Sequence, residues 1–273
     1  MFKTSPFNRK KTTGSRPFAE FYNKWLATLS NTLLPQLRLA LSSFSLSPAL
    51  LSLQVDGMHH HLQSYYLALD QAAAADVAQC LHPDWRNALE KPFLWLGDLH
   101  PYLFTNLLRS FLDDQESPSS PEDEEEEDGR GFLEYDSVEM EEFGHRPWHV
   151  AVAWRSPSRA LAARVDQIEC GLRLMVPALA ARARGSQAKL VRRVGADWGG
   201  TAAVGEAVAE EMEELVGVLV DANRLRRSVL ADVVSATTVY QAALFLEAVA
   251  EFLVGFHDAK LVKEFEQCEK AVN

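Results

Sequence analysis

Three observations predict an all-α fold for this chain. Apolar residues recur at helical spacing along most of its length, no strand-length alternation bounded by turns is visible, and one strongly acidic stretch interrupts the pattern. The expected architecture is a multi-helix bundle with long helices, interrupted by a disordered acidic linker. With 273 residues, 47% hydrophobic and 10% aromatic, the chain can build a sizeable core.

The elements follow in order. Residues 1–16 read as a basic flexible tail, where Lys3, Arg9, Lys10, Lys11 and Arg16 precede the first acid, Glu20. Phe18, Phe21, Tyr22, Trp25, Leu26, Leu29 and Leu33 then line one helix face, with Pro17 suited to the first turn and Pro35 expected to kink or end the run. Ser47-Pro48 opens a second helical stretch through Leu62, Tyr65, Tyr66 and Leu69 to about Cys80. His82-Pro83-Asp84 reads as a stop and restart before Trp85, Leu89, Phe93, Leu94 and Trp95; Gly97 and His100-Pro101 break the chain again ahead of Leu103–Leu112. These elements make the N-terminal helical part, 17–112.

The linker spans 113–130, with acidic character to 142. Fifteen acids between Asp113 and Glu142 are opposed only by Arg130, a local charge of −14 that leaves +3 for the rest of a chain whose total is −11. Such a run buries nothing and repels itself, so it is expected to be solvated and disordered, either a spacer or a docking site for a basic partner.

The C-terminal helical part is 150–267. Ser156-Pro157 marks a helix start, and Leu161, Val165, Ile168, Leu172, Met175 and Leu179 follow as a heptad-type seam, read as intramolecular packing or a dimer contact. Pro177 is expected to kink this helix and the Gly185-Ser186 region to end it, with a loop at Gly195 and Gly199-Gly200. Val204, Val208, Met212, Leu215 and Leu219 line the next helix. The last is expected to run unbroken from about Ser235 to Gln267, apolar over most of its circumference and central in the packing.

Signatures of catalysis are missing: the chain has no GxxxxGK[ST], GxSxG, HExxH or GxGxxG. His59-His60-His61 cannot converge on one metal, because consecutive helical residues point about 100° apart, so exposed or partly packed histidines are expected. His145 and His149 have ligand spacing, but Arg146-Pro147-Trp148 intervenes. Cys80, Cys170 and Cys268 are too scattered for a disulfide framework, and each is read as a buried thiol in a reduced compartment. No cofactor or metal is therefore expected. The aromatics Trp85, Phe93, Trp95, Tyr102, Phe104 and Phe111 fit core packing better than a ligand pocket, and Arg86 with Glu90, at i,i+4, is read as a structural ion pair. The basic clusters Arg192-Arg193 and Arg224–Arg227 are short and no basic-region helix precedes the seam, so direct nucleic-acid binding is not expected.

The start lacks a secretory h-region, and Phe2 excludes N-myristoylation. The basic tail instead suits an anionic membrane surface, with Lys3, Arg9, Lys10, Lys11 and Arg16 giving attraction and Phe2 and Phe7 inserting beside them.

A set of aromatic and polar residues carries a resemblance. Phe21-Tyr22-Asn-Lys-Trp25, the Tyr65-Tyr66 pair after His60-His61, Asp84-Trp85-Arg86-Asn-Ala-Leu89-Glu90 and Phe93-Leu-Trp95-Leu-Gly97 resemble the plant seed-dormancy-control domain. That domain belongs to the Delay of Germination family and is shared with TGA-type bZIP factors. Arg224-Leu-Arg226, Ala242–Glu251 and His257 extend the likeness over residues 17–260, apart from the acidic insert.

Within the family, Arg16-Pro-Phe18, Trp154-Arg-Ser-Pro-Ser158 and Val165–Leu179 resemble the branch concerned with pollen apertures. The resemblance implies a non-enzymatic factor that marks plasma-membrane domains of microspores and holds the membrane to the callose wall, so that exine is not deposited there. The implied partners are membrane-associated aperture proteins, a receptor-like kinase being one candidate, and an anionic membrane surface. The implied location is cytoplasmic at the plasma membrane, with the nucleus as the alternative. Two rival expectations are a dormancy-type signalling regulator binding phosphatases or a small cofactor, and a transcriptional cofactor of bZIP proteins.

Overall fold

The computed structural model describes residues 18–43, 47–113, 146–196 and 201–267. The basic tail, the acidic linker after Asp113, Gly199-Gly200 and Cys268 lie outside them. Helix α1 (Phe18–Thr28) buries Phe18, Tyr22 and Trp25. The run does not end at Pro35. Proline offers no N–H and crowds the preceding turn, and the chain accommodates it by widening into a π turn at Leu29–Leu33 before α2 (Leu34–Ser42) continues.

Helix α3 (Pro48–Leu81) starts where the sequence places it. Pro48 occupies the first turn, and the Ser47 side chain accepts a hydrogen bond from the Leu50 N–H at 3.3 Å. At about 1.5 Å per residue it is roughly 50 Å long. It breaks once, at Asp76 (φ −155°, ψ 82°), whose carboxylate accepts from the Gln79 N–H and so caps the turn that resumes.

The expected helical restart after His82-Pro83-Asp84 does not occur. The chain makes turns, a 3₁₀ segment at Lys91–Phe93, and a minimal antiparallel hairpin of β1 (Leu94–Trp95) and β2 (Asp98–Leu99), with Leu94 opposite Leu99 and Trp95 opposite Asp98. Leu96 and Gly97 form its two-residue turn, both with positive φ (46° and 86°). A Cβ at Gly97 would lie 2.6 Å from the Cys80 carbonyl oxygen, so glycine is needed for space as well as conformation.

Helix α4 (Tyr102–Asp113) follows, then the short α5 (Trp148–Ala151). Helix α6 begins at Arg159, two residues after Pro157, with the Ser158 hydroxyl accepting from the Leu161 N–H. It runs past Pro177, Gly185 and Gly195 to Ala196, beyond the end expected near Gly185. Pro177 lies on the exposed face, where water can serve the carbonyl it leaves unpaired. Helix α7 (Thr201–Ala236) returns antiparallel to α6. Leu161, Val165, Ile168, Leu172 and Leu179 of the seam are buried in this packing, whereas Met175 is 45% exposed. Cys80 is buried as expected; Cys170 is exposed, contrary to the expectation, because it lies off the seam.

The last expected helix is two. Helix α8 (Val239–Gly255) opens with a capping box between Thr238 and Gln241 and ends before His257, and α9 (Ala259–Gln267) restarts where Asp258 accepts from the Leu261 N–H at 2.8 Å. Helix α8 is central, packing against α2, α3, α4 and α5 with Phe245, Leu246, Val249 and Ala250 buried. Among the described residues no single helix is long and apolar enough to cross a membrane.

Candidate functional site

The densest chemistry surrounds one buried guanidinium. Arg86 lies in the irregular segment between α3 and the hairpin. There the Asn87 side chain accepts from the N–H groups of Leu89 (2.9 Å) and Glu90 (3.1 Å) and folds Glu90 back beneath Arg86. Arg86 Nη1 donates to Glu90 Oε1 at 2.6 Å and to the Tyr22 hydroxyl at 3.1 Å. Its Nη2 donates to the Tyr65 hydroxyl at 2.9 Å and to both Asp98 carboxylate oxygens at 3.0 and 3.1 Å. The guanidinium carbon also stands 4.7 Å from the Tyr22 ring centre. The expected i,i+4 ion pair thus forms, but across a turn and with side chains at most 1% exposed.

A second arginine secures the hairpin from the other half of the chain. Arg226 of α7 is fully buried and donates from Nε to the Leu99 carbonyl at 2.7 Å, from Nη1 to Asn223 Oδ1 at 2.7 Å, and from Nη2 to the carbonyls of Trp95 and Asp98. His257, just past α8, completes the ring: its Nε2 lies 3.1 Å from the Tyr22 hydroxyl and 3.4 Å from Glu90 Oε1. Tyr22 has one proton and gives it to Glu90 at 2.8 Å, so the histidine must present Nε2–H to the tyrosine oxygen. Two guanidinium groups against two carboxylates leave the cluster electrically balanced.

The electrostatics match this geometry. Burial works against charge on Glu90, but the His257 Nε2–H, shared between Tyr22 and Glu90, and the Arg86 guanidinium outweigh it and hold the carboxyl at about 2. Burial drives the Tyr22 and Tyr65 hydroxyls well above the ordinary tyrosine range, so both stay protonated donors. An enclosed cavity of about 10 Å³ beside Arg86, Asp98, Tyr65 and Tyr66 has room for one water molecule at most, and Arg86 Nε, without a protein partner, is a group such a water would satisfy. The arrangement offers no accessible nucleophile and no substrate-sized cleft. It ties α1, α3, the hairpin, α7 and the end of α8 into one body.

A different surface lies nearby, where Leu99, Leu103, Phe104, Leu107, Val249 and Phe252 line an apolar cleft of about 220 Å³ between α4 and α8. Phe93 and Phe252, 40% and 39% exposed, rim it together with Phe256. The six aromatics read as core therefore divide: Phe104 is buried, Phe93 is exposed, and the others are half-buried.

Residues 33–110 match the seed dormancy control family. Over the whole chain, the similarity is to Protein INAPERTURATE POLLEN1 of Arabidopsis thaliana, 46% identical with 95% of this chain and 96% of the relative covered. Protein INAPERTURATE POLLEN 1 homolog of Oryza sativa subsp. japonica is 37% identical, over 93% of this chain and 90% of its own. The chain belongs to the INAPERTURATE POLLEN1 family.

Against that assignment the placement of the signature residues is informative. Tyr22, Tyr65, Arg86 and Trp95 meet in the buried network, while Trp25, Tyr66 and Trp85 pack around it and Phe21 and Leu89 are half-buried at its edge. Trp25 stacks on His61 with ring centres 5.0 Å apart, and its Nε1 donates to the His61 carbonyl. Residues 33–110 supply Tyr65, Arg86, Glu90 and Asp98, but Tyr22, Arg226 and His257 come from outside that stretch, so the network needs the whole chain.

Phe2, Lys3, Phe7, Arg9, Lys10, Lys11 and Arg16 lie outside the described residues. Sequence reasoning passed over Asp98 and the burial of Arg226. A signal for the second existed: Val218, Leu219, Ala222, Val229, Leu230 and Val233 mark a core stripe on which Arg226 falls. Among the described residues, no group of three His, Cys, Asp or Glu side chains could hold a metal.

Proposed function

We propose that this chain is a non-enzymatic factor of pollen aperture formation. It marks plasma-membrane domains of microspores from the cytoplasmic side and holds the membrane to the callose wall, so that exine is not deposited there. The observation that carries this reading is the 46% identity to a protein named for inaperturate pollen, sustained over 95% of the chain. The structure supports a non-catalytic role by spending its most concentrated polar chemistry on internal closure. The basic tail, from Lys3 to Arg16, is the lipid contact, and the acidic tract tunes partner binding. The partners are membrane-associated aperture proteins, a receptor-like kinase among the candidates.

The test is a fluorescently tagged copy in microspore tetrads of a plant lacking the native protein. Discrete plasma-membrane patches with restored apertures support the reading; diffuse or nuclear signal without rescue overturns it.

The seed dormancy control match favours a second reading, a signalling regulator that binds phosphatases or a small cofactor such as haem. Side-chain geometry speaks against the haem version. His61 spends Nε2 on the Trp25 carbonyl at 3.0 Å, and His257 spends Nε2 on Tyr22. A Soret band that appears when haem is added and is lost on changing His257 or the His59–His61 cluster to alanine would restore it.

A further inference from the structure

The hairpin of α6 and α7 separates its charges by face. From Cys170 to Ala196, α6 carries six cations (Arg173, Arg182, Arg184, Lys189, Arg192, Arg193) and no acid. The α7 stretch from Thr201 to Asp221 carries six acids (Glu206, Glu210, Glu211, Glu213, Glu214, Asp221) and no cation. Two cations reach across the surface to α7: Arg182 pairs with Glu214 at 2.5 Å and Asp221 at 2.6 Å, and Arg193 with Glu210 at 2.5 Å. Lys189 lies beside Arg182 on the helix and its charge acts on Glu214 as well. Arg173, Arg184 and Arg192 are exposed, and among the described residues no acid forms an ion pair with them.

Helical geometry sets these three on one side. At 100° per residue, Arg173, Arg184 and Arg192 fall within about 100° of the circumference, over a rise of roughly 29 Å. Leu174 and Val191, 70% and 69% exposed, share that arc. The acids of α7 stand a helix diameter behind, about 10 Å, which is about one Debye length at physiological salt. A body meeting the outer face therefore meets cations interleaved with apolar side chains.

That combination selects among occupants. An anionic bilayer surface satisfies the cations along a plane and takes up the apolar side chains between headgroups. The acids of a second copy would satisfy the cations but would set carboxylates, not apolar surface, against Leu174 and Val191. We propose that the outer face of α6, through Arg173, Arg184 and Arg192 with Leu174 and Val191, is a docking surface for an anionic lipid membrane. The inference deepens the peripheral-membrane reading above and rests on it, but it uses a surface separate from the basic tail.

The experiment is sedimentation of full-length protein with phosphatidylcholine vesicles, plain or containing about one-third phosphatidylserine, a composition chosen for negative surface potential. The triple variant Arg173→Gln, Arg184→Gln, Arg192→Gln is compared with a tail variant in which Lys3, Arg9, Lys10, Lys11 and Arg16 become Gln. The three helix residues are exposed and make no ion pair among the described residues, so the circular dichroism spectrum and melting midpoint should be preserved and serve as the folding check. Each surface cation contributes about fivefold to partitioning, so the triple change should lower the partition coefficient on anionic vesicles roughly a hundredfold. Leu174→Ser with Val191→Ser should lower it further in high salt, where the cations count least.

Unchanged binding by the triple variant, with loss in the tail variant, overturns this inference and leaves the tail reading standing. No binding by the native chain to anionic vesicles overturns both. Capture of the native chain by polyglutamate or duplex DNA but not by vesicles, abolished in the triple variant, assigns the face to another partner and overturns the lipid occupant. Self-association without vesicles that the triple variant loses does the same in favour of a second copy.

Discussion

The Arg86 cluster and the distal half of the α6–α7 hairpin use similar residues to opposite ends. In the cluster, arginine and carboxylate side chains are at most 1% exposed, matched in charge, and drawn from segments as far apart as Tyr22 and His257. In the hairpin, the Arg193–Glu210 pair is 42% and 69% exposed, and cations and acids are sorted onto different helices. Burial makes each charge dependent on its partner, so the cluster sets which elements assemble. Exposure makes each pair nearly dispensable, so the hairpin keeps cations free to face outward.

The sharpest way to break this contrast is Arg86→Met. It strands Glu90 and Asp98 in the core, and chemical denaturation should show a loss of about 3–5 kcal/mol. A loss below 1 kcal/mol would show that the cluster is not the lock described here.

Next comes Gly97→Ala. The strained positive φ and the 2.6 Å approach to the Cys80 carbonyl should cost about 1–3 kcal/mol, read as a lowered melting midpoint.

Acid should act on the same region. Glu90 titrates near 4.5 when unperturbed and near 2 in the fold, so its stabilisation is fully present above 4.5 and is lost as pH falls through 2. Urea midpoints measured across that window should fall for the native chain and flatten for Glu90→Gln.

The smallest effect belongs to Arg193→Gln. Removing an exposed pair should change stability by less than about 1 kcal/mol, and the loss should shrink in high salt.

The helices were largely legible because their apolar spacing is local: α1, α3, α4 and the Leu161–Leu172 seam lie where periodicity puts them. Their ends were less so. Pro177 and Gly185 look like terminators, yet α6 continues because both are exposed while Ala183 and Ser186 pack inward. The segment from Trp85 to Trp95 reads as a helical restart and is turn, 3₁₀ segment and strand instead, for a different reason. Its conformation is fixed by Arg226, 127 residues away from Leu99, and by Tyr22 and Tyr65, partners that no local window contains. The Arg86–Glu90 pair was found from its spacing, although a turn rather than a helix supports it. The tail proposed for membrane contact lies outside the described residues.

The reach of the Arg86 cluster along the chain also sets a clock on synthesis. Tyr22 and His257 are separated by 235 residues, a stretch that takes roughly 10 to 50 s to make at about 5–20 residues per second. Until the last of it emerges from the ribosome, Glu90 and Asp98 wait beside a single guanidinium with the hairpin unclasped. A chain cut short before Arg226 would leave that charge cluster half assembled, a ready mark for the quality-control machinery of the cell.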